Sequence, residues 1–190
     1  MNPNESRMNF RRLCLPVFLA PCALFLAACN VLPEPQADQV RYFTLSGAGT
    51  GTPAADAVMV RPVRLAGHLR NRSMAVRVSE NEVAYLEDVR WAEPLDEAIT
   101  QVLRNRLRPL GGGGSVMVQV QRCELVRPAG DQVQLSAIYT VTPAAGEPRT
   151  GVFTATPRAW SGGDHGALVG LLREAVDELA EAVAGAIEAK

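Results

Sequence analysis

A chain of 190 residues with 19 Lys+Arg against 20 Asp+Glu carries a formal net charge of −1, so it has no bulk positive field with which to attract nucleic acid. Its 2 His, at positions 68 and 165, are too far apart in sequence to announce a metal centre, and each reads as a surface or loop residue rather than a ligand.

The N-terminus differs in composition from everything after it. Residues 1–12 hold Arg7, Arg11 and Arg12 against Glu5, and Leu13 to Ala28 are uncharged. A basic segment followed by an apolar one is the layout of an export signal. The apolar run is 16 residues, broken by Pro16 and Pro21, whereas a membrane-crossing helix needs about 20 residues to span roughly 30 Å. Met8 offers an alternative start that keeps Arg11 and Arg12. The run closes on Leu26-Ala27-Ala28-Cys29, which looks like a bacterial lipobox: small side chains admit the peptidase, and the thiol of Cys29 accepts diacylglycerol. Residues 1–28 are then a signal that is removed, and Cys29 carries the covalent diacylglycerol and N-acyl lipid; no other cofactor is expected. Two or more acyl chains anchor stably where one does not. Asn30, in place of aspartate, favours sorting to the outer membrane.

Cleavage removes three arginines and one glutamate, leaving 16 basic against 19 acidic residues over 162 positions, a net charge of −3. Cys14 and Cys22 leave with the signal and Cys29 is acylated, so Cys123 has no partner for an internal disulfide. The fold must hold by packing.

Residues 29–39 form the lipidated end and a tether, with Pro33 and Pro35 and no apolar period. Arg41 to Leu45 reads as a strand, and Ser46 to Ala55 as a Gly/Thr/Pro loop. Val58, Val60, Val63 and Leu65 suggest a second strand made irregular by Pro62, hence an edge or a bulge. Met74, Val76 and Val78 mark a third strand, and Glu82 to Leu86 a short fourth. Glu93-Pro94 opens the first helix. Asp96 and Glu97 fall in its first turn and Arg104, Arg106 and Arg108 in its last, each on the favourable side of the helix dipole. Leu95, Ile99, Val102, Leu103 and Leu107 line one face, and Pro109 with Gly111–Gly114 ends it.

Two long strands follow, Ser115 to Val126 and Gln132 to Thr142. In the second, Val133, Leu135, Ala137, Tyr139 and Val141 alternate with mostly polar residues, as in a strand with one wet face. In the first, Val116, Val118 and Val120 differ in parity from Cys123 and Leu125, so a bulge near Gln121-Arg122 is required. A further strand is predicted over Arg149 to Thr156. The last helix is predicted from about Asp164 to Ala189, with Leu168, Leu171, Leu172, Ala175, Val176, Leu179, Ala182, Val183 and Ile187 as its apolar stripe. The whole predicts one α+β domain over residues 40–190: a mixed, mostly antiparallel sheet with two main helices packed on one face.

Motifs of catalysis are sparse. No serine sits in G-x-S-x-G. The glycines at 47, 49 and 51 and at 111–114 lead into strands rather than a helix N-terminus, and neither run carries Gly-Lys-Ser/Thr. Cys123 has only Arg122 as a basic neighbour and reads as a buried, inert thiol. No catalytic residue and no metal ligand is nominated.

The distinctive stretch is Arg90-Trp91-Ala92-Glu93-Pro94-Leu95-Asp96. Together with Tyr42-Phe43-Thr44-Leu45 and Val60-Arg61-Pro62-Val63-Arg64-Leu65, it resembles the ABC-type transport auxiliary lipoproteins, the PqiC/YmbA-like family (DUF330), in the same order over about residues 40–188. Where that family tends to read Leu-Pro-x-Tyr-Leu-Asp-Arg, this chain has Leu65-Ala66-Gly67-His68-Leu69-Arg70-Asn71 and keeps only the leucines. The resemblance therefore assigns that loop no role. It implies a non-catalytic accessory on the periplasmic side of the outer membrane, serving a system with an MCE (mammalian cell entry) protein and, through it, an ABC or permease complex that moves hydrophobic molecules. A homo-oligomeric ring is compatible with such a system. Arg90, Trp91, Glu93, Pro94 and Leu95 are either a structural junction between sheet and helix or a contact for that partner. The alternatives are a stand-alone structural or envelope-assembly lipoprotein and a tethered periplasmic hydrolase.

Overall fold

Alternating apolar and polar side chains on both sides of one amphipathic helix fold into a single sheet backed by two helices. The computed structural model describes residues 39–45, 47 and 52–189; Cys29, the signal and the tether up to residue 38 lie outside the described residues. In chain order the elements are β1 (Arg41–Phe43), β2 (Met59–Val60), β3 (Arg64–Leu65), a 3-10 turn (Gly67–Arg70), β4 (Ser73–Arg77) and β5 (Val83–Trp91). After α1 (Leu95–Leu107) come β6 (Ser115–Val126), β7 (Gln132–Thr142), β8 (Arg149–Thr154), β9 (Arg158–Ala159) and α2 (His165–Glu188).

The sheet runs β1-β5-β4-β6-β7-β8, with β2 and β3 also on β6 and β9 on β7. Antiparallel pairing dominates by length. The ladder between β6 and β7 runs in register to Val120↔Ala137 and resumes at Arg122↔Ser136. Gln121 is the extra residue, the bulge that the parity of the sequence requires. It returns Cys123 and Leu125 to the face of Val116, Val118 and Val120, and all five are buried.

The other edge of β6 takes three short strands end to end, all parallel: Val60↔Val116, Leu65↔Val120 and Val76↔Leu125. The expected second strand is thus two, split around Pro62, which cannot donate to a ladder. Side chains of α1 occupy the outer edge there. Thr100 Oγ1 accepts from the Val63 N–H at 2.9 Å, and the Arg104 guanidinium reaches the Val60 carbonyl at 3.4 Å. An edge satisfied this way is closed to further strand pairing.

Further strand expectations are corrected, and the first strand, expected to Leu45, ends at Phe43. The short fourth strand at Glu82 to Leu86 is the longer β5, which continues to Trp91. Its alternation is hidden in the sequence by Glu87-Asp88, which lie where the register with β4 shifts. The strand expected to end at Thr156 stops at Thr154, because the Thr156 N–H turns to the Glu178 carboxylate at 3.2 Å. The chain then makes β9, paired at Gln132↔Ala159.

The helices follow their sequence signals closely. All five residues of the expected α1 face are buried, joined by Ala98 and Thr100. Pro94 occupies the cap position, one residue before the helix, and its carbonyl accepts from the Ala98 N–H at 3.0 Å. Asp164 caps α2 by accepting from the Gly166 N–H at 2.8 Å. In α2, Leu168, Leu172, Ala175, Val176, Leu179 and Val183 are buried as expected, with Val169 and Ala180 added. Leu171, Ala182 and Ile187 are only half-buried, at the borders of the stripe. Both helices pack on the same side of the sheet and against each other, and Arg106 on α1 bonds Asp177 on α2 at 2.9 Å.

Gly151 illustrates how tightly β7 and β8 are fitted. It pairs with Tyr139, and a Cβ built on it would collide with the phenol ring. Gly151→Ala should therefore destabilise the fold by about 1–3 kcal/mol, the usual range for overpacking. In thermal or denaturant unfolding, much of that loss should disappear in the Tyr139→Leu background; equal losses in both backgrounds would locate the strain elsewhere.

Candidate functional site

Trp91 is the last residue of β5 and is 2% exposed. Its backbone N–H donates to the Arg72 carbonyl at 2.8 Å, and the next N–H, of Ala92, donates to the Phe43 carbonyl at 2.8 Å. Two hydrogen bonds thus fasten the turn before α1 to β1 on one side and to the end of the 67–72 loop on the other. An indole there fills the space where strand passes into helix. Leu95 is buried, while Arg90, Glu93 and Asp96 are half-buried. A cavity of about 240 Å³ opens beside them, lined by Arg70, Asn71, Arg72, Trp91, Glu93, Pro94, Leu95 and Asp96. The structure therefore brings Trp91, Glu93, Pro94 and Leu95 together at one cavity, and Arg90 is next to them in β5. The 67–72 loop supplies the opposite wall.

A second cluster was hidden from sequence reasoning. Glu124 sits in β6 with no solvent exposure. Arg77 Nε donates to its Oε1 at 2.6 Å, and the His68 imidazole donates from Nε2 to its Oε2 at 3.1 Å. The Tyr85 hydroxyl donates to the His68 carbonyl at 3.0 Å. A carboxylate buried without such partners would be very unfavourable, and a paired one holds its partners in fixed geometry. The effect is to clamp β4, β5 and the 3-10 turn onto β6. His68 is thus a structural ligand of a carboxylate, where its sequence position suggested a loop residue. The one available signal was a glutamate inside the apolar run Cys123-Glu124-Leu125-Val126.

Cys123, beside it, faces the helices and is 2% exposed. Burial, together with the neighbouring Glu124 charge, pushes its pKa up to about 12. It stays a thiol at physiological pH and is a poor nucleophile. His165 begins α2, its ring 5.5 Å from that of Trp160. Among the described residues, no group of three or more His, Cys, Asp and Glu is placed to hold a metal ion. No helix among them is long and apolar enough to cross a membrane, which says nothing of crossing by strands.

A third polar cluster ties the end of the sheet to α2. Arg158 bonds Glu178 at 2.7 Å and Glu174 at 3.3 Å, and Thr156 donates to Glu178 through both its N–H and its hydroxyl. Burial by itself would raise the Glu178 pKa. The hydrogen bonds from Arg158 and Thr156 and the guanidinium charge outweigh it, so the carboxyl is held below its ordinary value.

A family model described as "ABC-type transport auxiliary lipoprotein component" matches residues 43–184. No curated protein matches the chain. Among solved structures, a crystal structure of an uncharacterized protein superposes with a TM-score of 0.63 at 16% identity, covering 77% of this chain and 97% of that one. A Xanthomonas campestris protein assigned to the DUF330 family gives a TM-score of 0.62 at 14% identity, covering 76% and 93%. At these identities the two structures speak for the fold alone.

Arg77→Met should destabilise the domain by about 3–5 kcal/mol, because it leaves the buried Glu124 charge short of its main partner. The double variant Arg77→Met, Glu124→Gln should recover a large part of that loss in chemical denaturation; no recovery would mean that Arg77 acts through packing alone. Glu178 supplies a pH signature. A carboxyl whose folded pKa is depressed stabilises the fold above its unfolded pKa and loses that contribution as pH falls through the folded value. Acid unfolding followed downward from the ordinary value of 4.5 should therefore be less steep in Glu178→Gln, and an identical profile would show that the cluster is not linked to folding.

Proposed function

The chain belongs to the ABC-type transport auxiliary lipoprotein family, and from that premise we propose that it is a non-catalytic accessory of an MCE-type system moving lipids or other hydrophobic molecules between membranes. It is held by lipid on Cys29 at the periplasmic face of the outer membrane, with residues 29–39 as tether and residues 40–190 as the working domain. ATP is hydrolysed by another subunit of the transporter. The family match across residues 43–184 carries the reading. Support also comes from the use the fold makes of its polar groups: Glu124, Arg77, His68, Arg158 and Glu178 are engaged with one another in holding elements together. Arg90, Glu93 and Pro94, with the cavity at their side, are a contact offered to the partner, and the buried Trp91 and Leu95 hold them in place. A ring of identical copies suits a partner that is itself annular.

Tagged protein solubilised from membranes should bring down an MCE-domain protein together with permease and ATPase subunits. The mature N-terminus should be an acylated residue 29, and Cys29→Ser should leave a folded domain that no longer complements a deletion. The reading is overturned if deletion leaves lipid distribution and envelope integrity intact while no MCE protein co-purifies. In that case a stand-alone envelope lipoprotein becomes the account. A hydrolase would instead show itself by substrate turnover lost on replacing a single polar residue.

A further inference from the structure

The face of the sheet turned away from the helices carries an apolar line that nothing among the described residues covers. Register fixes its course. Met59 pairs with Ser115, two residues before Met117; Gln119, two residues further, pairs with Ile138; and Ile138 pairs with Val152. Met59, Met117, Ile138 and Val152 thus step diagonally across β2, β6, β7 and β8, at the spacing where side chains on neighbouring strands still touch. Met59 is 65% exposed, Met117 40% and Val152 78%. Scattered exposed apolar residues need no explanation, but a continuous line across four strands is an interaction feature.

Over β2, β3 and β6 to β8, the exposed charge on this face is one-sided. Arg64, paired with Gln119, and Arg122, paired with Ser136, share it and are exposed. Its strand positions in β2, β3, β6, β7 and β8 include one carboxylate, Glu124, which is fully buried under Arg77 and His68. On the opposite layer, α2 has Glu174, Asp177, Glu178, Glu181 and Glu188 against Arg173. The apolar line also begins beside the parallel pairing of β2 and β3 with β6, and parallel sheet is ordinarily covered on both faces.

We propose that this open face docks an amphipathic helix of the transport partner, its apolar stripe laid along Met59, Met117, Ile138 and Val152 and its acidic flank against Arg64 and Arg122. The inference rests on the reading of the chain as a transporter accessory and adds a second surface and its chemistry. The helix completes a third layer, helices–sheet–helix, that the described residues supply only on one side. The recognition is apolar along the middle and ionic along one border, so both parts must fail separately when altered.

The test places the photo-crosslinking residue p-benzoylphenylalanine at position 117 or 152 of the full lipidated protein in cells, with position 181 on α2 as the comparison. The exposed positions tolerate the change, and circular dichroism with thermal unfolding verifies that the fold is kept. Positions 117 and 152 should crosslink to a transporter subunit within an acidic, amphipathic helical segment, while position 181 gives little product. Arg64→Glu with Arg122→Glu should cut that yield by about tenfold, since like charges would then face each other. The inference is overturned if positions 117 and 152 crosslink to phospholipid, to a second copy of the chain, or to the chain's own residues before Gln39. Failure at this face with strong transporter products from position 181 would sink this inference alone. Transporter products from no position at all would sink the functional reading as well.

Discussion

The pairing of β6 with its neighbours sets what every other element can do. One edge of β6 is committed to β7 along its full length, from Ser115↔Thr142 to Val126↔Gln132. The other is filled by β2, β3 and β4 in succession, each parallel to it and each brought there by a different stretch of chain. A strand used on both edges cannot slip by one residue without turning its buried set outward. The bulge at Gln121 is therefore a fixed feature: it reconciles an apolar set of one parity in the first half with the opposite parity in the second. Without it, Cys123 and Leu125 would face solvent and Glu124 would face the helices.

From that strand the remaining architecture follows in two directions. Toward the helices, Val116, Val118, Val120 and Leu125 give α1 and α2 a floor, and the two helices add their own ion pair across the top. Away from the helices, the same strand presents Glu124, and the fold answers with Arg77 and His68. Parallel neighbours usually need long crossover connections. Here the first three are only short, and the clamp on Glu124 compensates by fixing β4 and the 67–70 turn with side chains where backbone ladders are brief. The Trp91 junction does the same for β1 and the start of α1.

Much of this was legible in the residues. The period of two in Gln132 to Thr142, the change of parity between Val120 and Cys123, and the 3–4 spacing of Leu95 to Leu107 each dictate a local outcome, and each outcome is found. The helix caps, Asp164 included, fall within a residue of their signals. What the residues did not disclose is non-local. The partners of Glu124 lie 47 and 56 residues away in sequence, and neither arginine nor histidine in a loop announces a carboxylate it will meet. Likewise β9 and the far half of β5 depend on neighbours rather than on their own pattern; Glu87-Asp88 reads as a break and is tolerated because the ladder is already irregular there. The Arg90–Leu95 stretch was legible as a resemblance, whereas its cavity required the 67–72 loop to be folded against it.

The short strand β1 has a mechanical meaning. It joins the sheet through Arg41↔Val89, Tyr42↔Arg90 and Phe43↔Trp91, and it is the first paired segment among the described residues. Two residues further on, Leu45 is buried and its carbonyl is gripped by Arg173 at 2.6 Å. A pull on the N-terminal side loads these few hydrogen bonds before any part of the core. Beyond them, the buried Leu45 and its bond to Arg173 form the next hold. The attachment is thus graded: a short ladder comes before the anchored Leu45, and the core lies behind both.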